Sequence, residues 1–385
     1  MTSATLAKPS LRPFSPHFSS GPCAKHPGWT LSALKDAVLG RSHRAKLGKD
    51  RLKRAIDETK ALLELPADYL VGIVAASDTG AVEAALWSLL GPRPVDVFAW
   101  ESFGKDWVTD CVKQLKPLEA RSFVADFGQL PDLAQADFSH DVVFTWNGTT
   151  SGVIVPNGAW IADDRSGLTI CDATSSALAV RMPWAKLDVV TYSWQKVLGG
   201  EAQHGILILS PRAVERLESH KPTWPVPKIF RLTKEGKINK GIFEGETINT
   251  PSMLCVEDAL EAMAWARNVG GVTGLAARTQ ANFEALSAWV ERTPWITFLC
   301  ADKATRSPTS VCLKLAGTGL SADEQASFCK NIASALEKEG VAFDINSYRD
   351  APPGFRIWCG ATVEASDVVA LTHWLDWAHA TCSAG

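Results

Sequence analysis

Two short apolar, β-branched runs end in residues that carry chemistry, and they restrict the fold more than any other feature. Leu168-Thr169-Ile170-Cys171 runs into Asp172, and Leu187-Asp188-Val189-Val190 runs into the loop Tyr192-Ser193-Trp194-Gln195-Lys196-Val197-Leu198-Gly199-Gly200. Such runs read as buried strands. Lys196 follows Asp172 by 24 residues, which suits a strand-helix-strand crossover that sets both strand ends on one side of a parallel sheet. In open α/β sheets the ligand crevice lies outside the carboxyl ends of the strands. An aspartate and a lysine are therefore expected to converge at one site.

The same alternation runs through the chain. Further strands are expected at 69–74, 95–99, 142–145 and 205–209, with helices near 30, over 49–65 and 80–90, after Phe103 and from Pro211. The segment 221–246 is long, basic and aperiodic, and its charges read as solvated. Helices at 253–269 and 273–292 lead to strands at 297–299 and 310–315, a helix at 322–339 and a strand at 341–343. That succession describes a smaller α/β domain after a large one. The expected division is an extended arm (1–28), a large domain (29–268) and a small C-terminal domain (269–385).

Composition narrows the class. With 385 residues, 46% hydrophobic and 21% charged, the chain is an ordinary globular one with room for a large core. A net charge of −3 gives no general attraction to nucleic acid. Nine cysteines without a C-x-x-C pair suggest reduced, buried thiols, a cytoplasmic location and no metal site. No apolar run reaches the ~18 residues that a membrane span needs. The first 35 residues lack Asp and Glu but contain Lys8, Arg12 and Lys25, a faint likeness to a transit peptide. Pro9, Pro13 and Pro16 oppose the helix such a peptide needs, so an extended arm is expected, turned against the body at Ser20-Gly21-Pro22.

Several residues have both a bland and a chemical reading. Ser42-His43-Arg44 is either a solvated basic turn or an anion clamp. Asp78 and Thr79 open a helix, as a plain N-cap or at amides that favour a phosphate. Phe103, just past a strand end, is a core ring or a stacking partner. Asn147-Gly148-Thr149 is a tight turn or presents a hydroxyl. Asn249-Thr250-Pro251 starts another helix, and Arg349 and Arg356 flank a proline-glycine turn as structural ion pairs or as carboxylate forks.

A lysine and an aspartate meeting at strand ends are jointly explained by pyridoxal phosphate: the lysine forms the Schiff base and the aspartate pairs with the protonated ring nitrogen. Phe18-Ser19-Ser20-Gly21-Pro22, Ser42-His43-Arg44, Asn147-Gly148-Thr149-Thr150-Ser151-Gly152, Asp172-Ala173-Thr174-Ser175-Ser176, Gln195-Lys196 and Gly245-Glu246-Thr247-Ile248-Asn249-Thr250-Pro251 occur in this order. Together they resemble the phosphoserine aminotransferases, class V enzymes on the fold-type I scaffold, from Phe18 to the last helix.

The resemblance implies a large domain with a mainly parallel seven-stranded sheet flanked by helices, plus a smaller C-terminal α/β domain. It implies Lys196 and Asp172 as catalytic residues. Asp78, Thr79, Phe103, Thr149, Gln195, Asn249 and Thr250 would hold pyridoxal 5′-phosphate, with His43, Arg44, Arg349 and Arg356 on the substrates. It further implies a homodimer in which His43, Arg44, Asn249 and Thr250 cross to the neighbouring active site. The reaction would be reversible amino transfer between L-glutamate and 3-phosphohydroxypyruvate in serine synthesis, with a related phosphorylated substrate in pyridoxine synthesis as an extension. Thr79 and Tyr348 depart from the better-known bacterial branch, which has arginine and histidine there, so phosphate recognition would fall to His43, Arg44, Arg349 and Lys46. The alternatives are a serine/alanine–glyoxylate type aminotransferase on an unphosphorylated substrate, or a binding protein on this scaffold.

Overall fold

The structure is a computed structural model and describes residues 6–116 and 118–383. Seven strands form the main sheet: β1 (Leu70–Ala75), β2 (Val95–Ala99), β3 (Ala120–Val124), β4 (Asp141–Thr145), β5 (Thr169–Asp172), β6 (Val189–Ser193) and β7 (His204–Leu209). Their spatial order is β1-β7-β6-β5-β4-β2-β3. β3, β2, β4, β5 and β6 pair in parallel, and β7 runs antiparallel to both β6 and β1.

Strand residues alternate between two cores, as a period of two requires. Val143, Ile170, Val189 and Leu207 face the layer of helices α2 (Ser77–Leu89), α3 (Ser102–Thr109) and α4 (Pro211–Ser219). Phe144, Cys171, Val190 and Ile206 face the other layer, with α1 (Lys46–Leu62), α5 (Met253–Asn268) and α6 (Gly271–Arg292). Both faces are covered, which is why these strands read as continuous apolar runs. A second, three-stranded antiparallel sheet of β8 (Ile296–Phe298), β9 (Ser310–Leu315) and β10 (Phe355–Trp358) packs with α7 (Ala322–Lys338) and α8 (Ala365–Ser383).

The parallel pairing of β5 and β6 is as expected, but the crossover between them is not a helix. Residues 173–188 contain only one 3-10 turn, Trp184–Lys186. Ser175 and Ser176 spend their hydroxyls on the carbonyls of Asn147 and Ala173 at 3.0 and 3.1 Å, which ties this backbone to a neighbouring loop instead of a helical ladder. The helix expected near Thr30 is a single 3-10 turn, Leu31–Leu34. The strand expected at 341–343 does not form either: Phe343 makes an isolated bridge to His17. Those apolar residues instead anchor the arm, whose Pro16 and Phe18 carbonyls accept from the Phe343 and Trp358 amides at 2.9 and 3.0 Å. Within the basic segment, a two-rung hairpin pairs Thr233–Lys234 with Lys237–Ile238. Among the described residues no helix is long and apolar enough to cross a membrane.

Candidate active site

The carboxyl ends of β1, β2, β4, β5 and β6 surround a cavity of about 150 Å³ lined by Asp78, Thr79, Glu101, Phe103, Thr149, Asp172, Gln195 and Lys196, among others. Each strand end delivers its own part. β6 ends at Ser193, and the tight turn after it buries Lys196. That turn needs glycine at 199: φ is +64°, and a Cβ there would lie 2.1 Å from the Ala24 carbonyl oxygen. The arm closes the other side, where the Ser20 carbonyl accepts a hydrogen bond from Lys196 Nζ.

The Lys196 amine is held below its ordinary pKa, chiefly by burial and also by the positive Arg356, against the pull of Asp172 and Glu101. Asp172 ends β5 and receives two N–H groups: the Thr174 amide at 3.0 Å on Oδ1 and the Trp107 indole at 3.2 Å on Oδ2. The carboxylate is thereby fixed and left facing the cavity. After β4, Thr149 presents its hydroxyl to Ser175 Oγ at 2.8 Å, and Ser310 holds the Thr149 carbonyl at 2.7 Å.

β1 leads into α2 through Ala76 and Ser77, both left-handed at φ +65° and +52°. Such backbone is costly for residues with a Cβ and collects at functional sites. It sets the start of α2, where the first amides lack intrahelical acceptors, in the cavity lining at Ser77, Asp78 and Thr79. Gly80 is required behind them, since a Cβ there would lie 2.1 Å from the Ala75 carbonyl oxygen.

Two lining residues went unnoticed in the sequence. Trp107 lies one turn beyond Phe103 on α3, and that i, i+4 spacing was the available signal. Glu101 caps α3: its Oε1 accepts from the Gly104 amide at 2.6 Å and its Oε2 from the Thr150 hydroxyl at 3.0 Å. Burial and the neighbouring Asp172 push its carboxyl up to about 7, against those two donors. The unfolded chain releases this proton near the ordinary 4.5 and the folded chain only near 7. Stability without ligand must therefore fall as pH rises through that window and level off above it, by roughly 3 kcal/mol for a shift of this size. Glu101→Gln keeps an acceptor for Gly104, so its denaturation midpoint is expected to vary less between pH ~4.5 and ~7 than the parent's. Equal slopes would contradict this.

Arg356 lies on β10, half-buried, with Nε buried and without a partner among the described residues and Cζ 5.4 Å from the Tyr348 ring. That ring also meets Phe103, with centroids 5.6 Å apart, and Arg349, 5.5 Å away. Arg349 is largely exposed, 3.6 Å from Asp350. His43, Arg44, Asn249 and Thr250 do not line the cavity. His43 and Arg44 precede α1, Asn249 and Thr250 precede α5, and Arg44 and Thr250 are exposed. Lys46 is exposed and paired with Asp50 at 2.7 Å.

The cavity suits a polar aromatic ligand. Asp78 Oδ1, Thr145 Oγ1, Asn147 Oδ1, Thr174 Oγ1 and Gln195 Oε1 are buried in lining residues without a partner among the described residues, and unpaired polar atoms of this kind are expensive unless a ligand completes them. Pyridoxal phosphate fits this set: an amine for its aldehyde, a carboxylate for its ring nitrogen, a ring to stack on and a helix N-terminus for its phosphate.

No protein-family model matches the chain. A phosphoserine aminotransferase from Methanosarcina barkeri is 59% identical over 372 residues, spanning 97% of this chain and 99% of that protein. The crystal structure of a phosphoserine aminotransferase from Cytophaga hutchinsonii superposes with a TM-score of 0.80 at 22% identity, covering 93% of this chain and 97% of that one. A phosphoserine aminotransferase from Trichomonas vaginalis, solved with pyridoxal phosphate bound, superposes at 0.74 with 18% identity and coverage of 94% and 99%. The two structures share the fold, and the near full-length identity to the Methanosarcina protein settles the family. The chain belongs to the phosphoserine aminotransferases.

Proposed function

We propose that the chain transfers an amino group reversibly between L-glutamate and 3-phosphohydroxypyruvate, giving 2-oxoglutarate and O-phospho-L-serine. The observation that carries this reading is the buried Lys196 amine across one cavity from a doubly hydrogen-bonded Asp172, in a chain 59% identical to a phosphoserine aminotransferase. Bound pyridoxal phosphate supplies an electron sink for a carbanion at the substrate Cα.

The residues of the chain do the rest. Lys196 would hold the cofactor aldehyde, and its amine, once free, would carry the proton between the substrate Cα and the cofactor carbon that bore the aldehyde. Burial keeps that amine available as a base, which a solvated lysine near ~10.4 is not. Asp172 keeps the ring nitrogen protonated, and Phe103 stacks on the ring. Thr149 and Gln195 complete its polar edge, and the first amides of α2, at Asp78 and Thr79, take the phosphate. Arg356 forks onto the α-carboxylate, and its unpartnered Nε supports that role. Arg356→Lys loses the two-point fit and is expected to raise KM for both amino-acid substrates by about tenfold or more with a smaller effect on kcat. An unchanged KM would assign the carboxylate elsewhere.

His43, Arg44, Asn249 and Thr250 act in the site of a second copy of the chain. Support comes from their place outside their own cavity and from Leu39, Leu47 and Leu254, which are 55%, 40% and 44% exposed in and around the α1 and α5 region. The second copy would bring His43 and Arg44 to the substrate phosphate beside Arg349. Reduced thiols fit a cytoplasmic enzyme: all nine cysteines are free.

A coupled assay comparing 3-phosphohydroxypyruvate with its unphosphorylated analogue tests the substrate. Strong preference for the phosphorylated keto acid is expected. Preference for glyoxylate or pyruvate would replace this reading with the unphosphorylated-substrate alternative.

A further inference from the structure

Asp78 is buried at the start of α2, 6% exposed, and its Oδ1 has no partner among the described residues. Its carboxyl faces Asp172, with the Thr174 and Thr191 hydroxyls beside it. Two carboxyl groups thus share one buried pocket, and both line the cavity. Like charges in one buried pocket cannot both be ionised without a large penalty, so the pair retains a proton. The hydrogen bonds say which member keeps it. Asp172 receives two N–H donors, one on each oxygen, as an anion requires, whereas Asp78 leaves an oxygen unpartnered.

We propose that Asp78 is a neutral carboxylic acid that donates a hydrogen bond to Asp172, holding that carboxylate as the single negative charge presented to the cofactor's ring nitrogen. The inference rests on the cofactor assignment above and makes Asp78 a positioning residue whose side chain serves the ring-nitrogen end of the site. It also explains how an acidic residue is tolerated at the amides that take a phosphate: a neutral Asp78 does not repel it. Burial first, then the Asp172 charge, raises the Asp78 carboxyl well above the usual range, opposed by the two threonine hydroxyls. The other titratable groups around the pair are Cys171, whose thiol burial keeps protonated, and Glu101 and Lys196 across the cavity.

Three variants, Asp78→Asn, Asp78→Ala and Asp172→Asn, test the proposal by titrating apoprotein with pyridoxal phosphate and by following apoprotein melting against pH. Asparagine keeps a donor toward Asp172, so Asp78→Asn is expected to rescue most of the affinity that Asp78→Ala loses, that loss being about tenfold or more. A group with a raised folded pKa loses stabilisation as pH rises. The parent's melting midpoint should therefore fall more steeply than that of Asp78→Asn as pH rises above the ordinary carboxylate range. The proposal is overturned if Asp78→Asn weakens cofactor binding as much as Asp172→Asn does, if Asp78→Ala binds like the parent, or if the melting slopes coincide. A parent protein that bound no pyridoxal phosphate would overturn the cofactor assignment and this inference together, whereas the other outcomes strike this inference alone.

Discussion

Lys196→Ala is expected to lower kcat by about 10⁴-fold, the upper end of what a positioned proton-transfer group contributes, and to abolish the covalent attachment of pyridoxal phosphate. The amine is the one lysine of the cavity lining, and in the proposed reaction it would serve twice, as the anchor of the cofactor and as the base at Cα. No neighbouring residue can assume both roles: Gln195 does not ionise, and Glu101 is a carboxyl. In the parent, activity should rise with pH as the amine loses its proton. It should do so below the range of a free lysine, because burial and Arg356 hold the pKa down. Retained turnover in Lys196→Ala would show that another lysine is the catalytic one. A pH profile rising only near the free-lysine value would show that burial does not activate this one.

The second large effect is expected at Asp172. Asp172→Asn preserves size and one acceptor for the Thr174 amide or the Trp107 indole, but removes the charge opposite the ring nitrogen. Breaking one side of a buried charge pair costs about 3–5 kcal/mol, which corresponds to roughly 10²–10⁴-fold in cofactor affinity. Turnover should fall with it, because a neutral ring nitrogen is a poorer electron sink. Equilibrium titration of the apoprotein with pyridoxal phosphate measures the first effect, and turnover at saturating cofactor isolates the second. Unchanged affinity would remove Asp172 from the ring-nitrogen role.

The sequence carried the scaffold of this site because the scaffold is periodic. Apolar runs buried on both faces mark β2, β4, β5, β6 and β7, and the polar residues just past the ends of β1, β2, β4, β5 and β6 are the ones that meet. Asp78, Thr79, Phe103, Thr149, Asp172, Gln195 and Lys196 all reach one cavity from five separate strand ends. Contributions made by tertiary contact were not legible. Ser20 arrives from the arm, 176 residues from its lysine. Glu101 looks like any strand-end acid until its capping bond to Gly104 and its burial are seen. Tyr348 is visible as a departure in the sequence, but its position between Phe103 and two arginines is a product of tertiary packing.

Local polarity explains two of the misread elements. The link from β5 to β6 had helical length, yet its serines bond to nearby carbonyls and tether it to the loop after β4. Residues 341–343 had the composition of a strand, yet what they pair with is the arm. His43, Arg44, Asn249 and Thr250 are a different matter, since the role proposed for them requires a second copy of the chain.

The proposed function stands or falls with Lys196 as the amine that holds pyridoxal phosphate. Borohydride reduction of the cofactor-loaded protein followed by proteolysis and mass spectrometry locates the adduct directly. The modified lysine is expected in the peptide containing Ser193-Trp194-Gln195-Lys196. An adduct on any other lysine, or none at all, would contradict it.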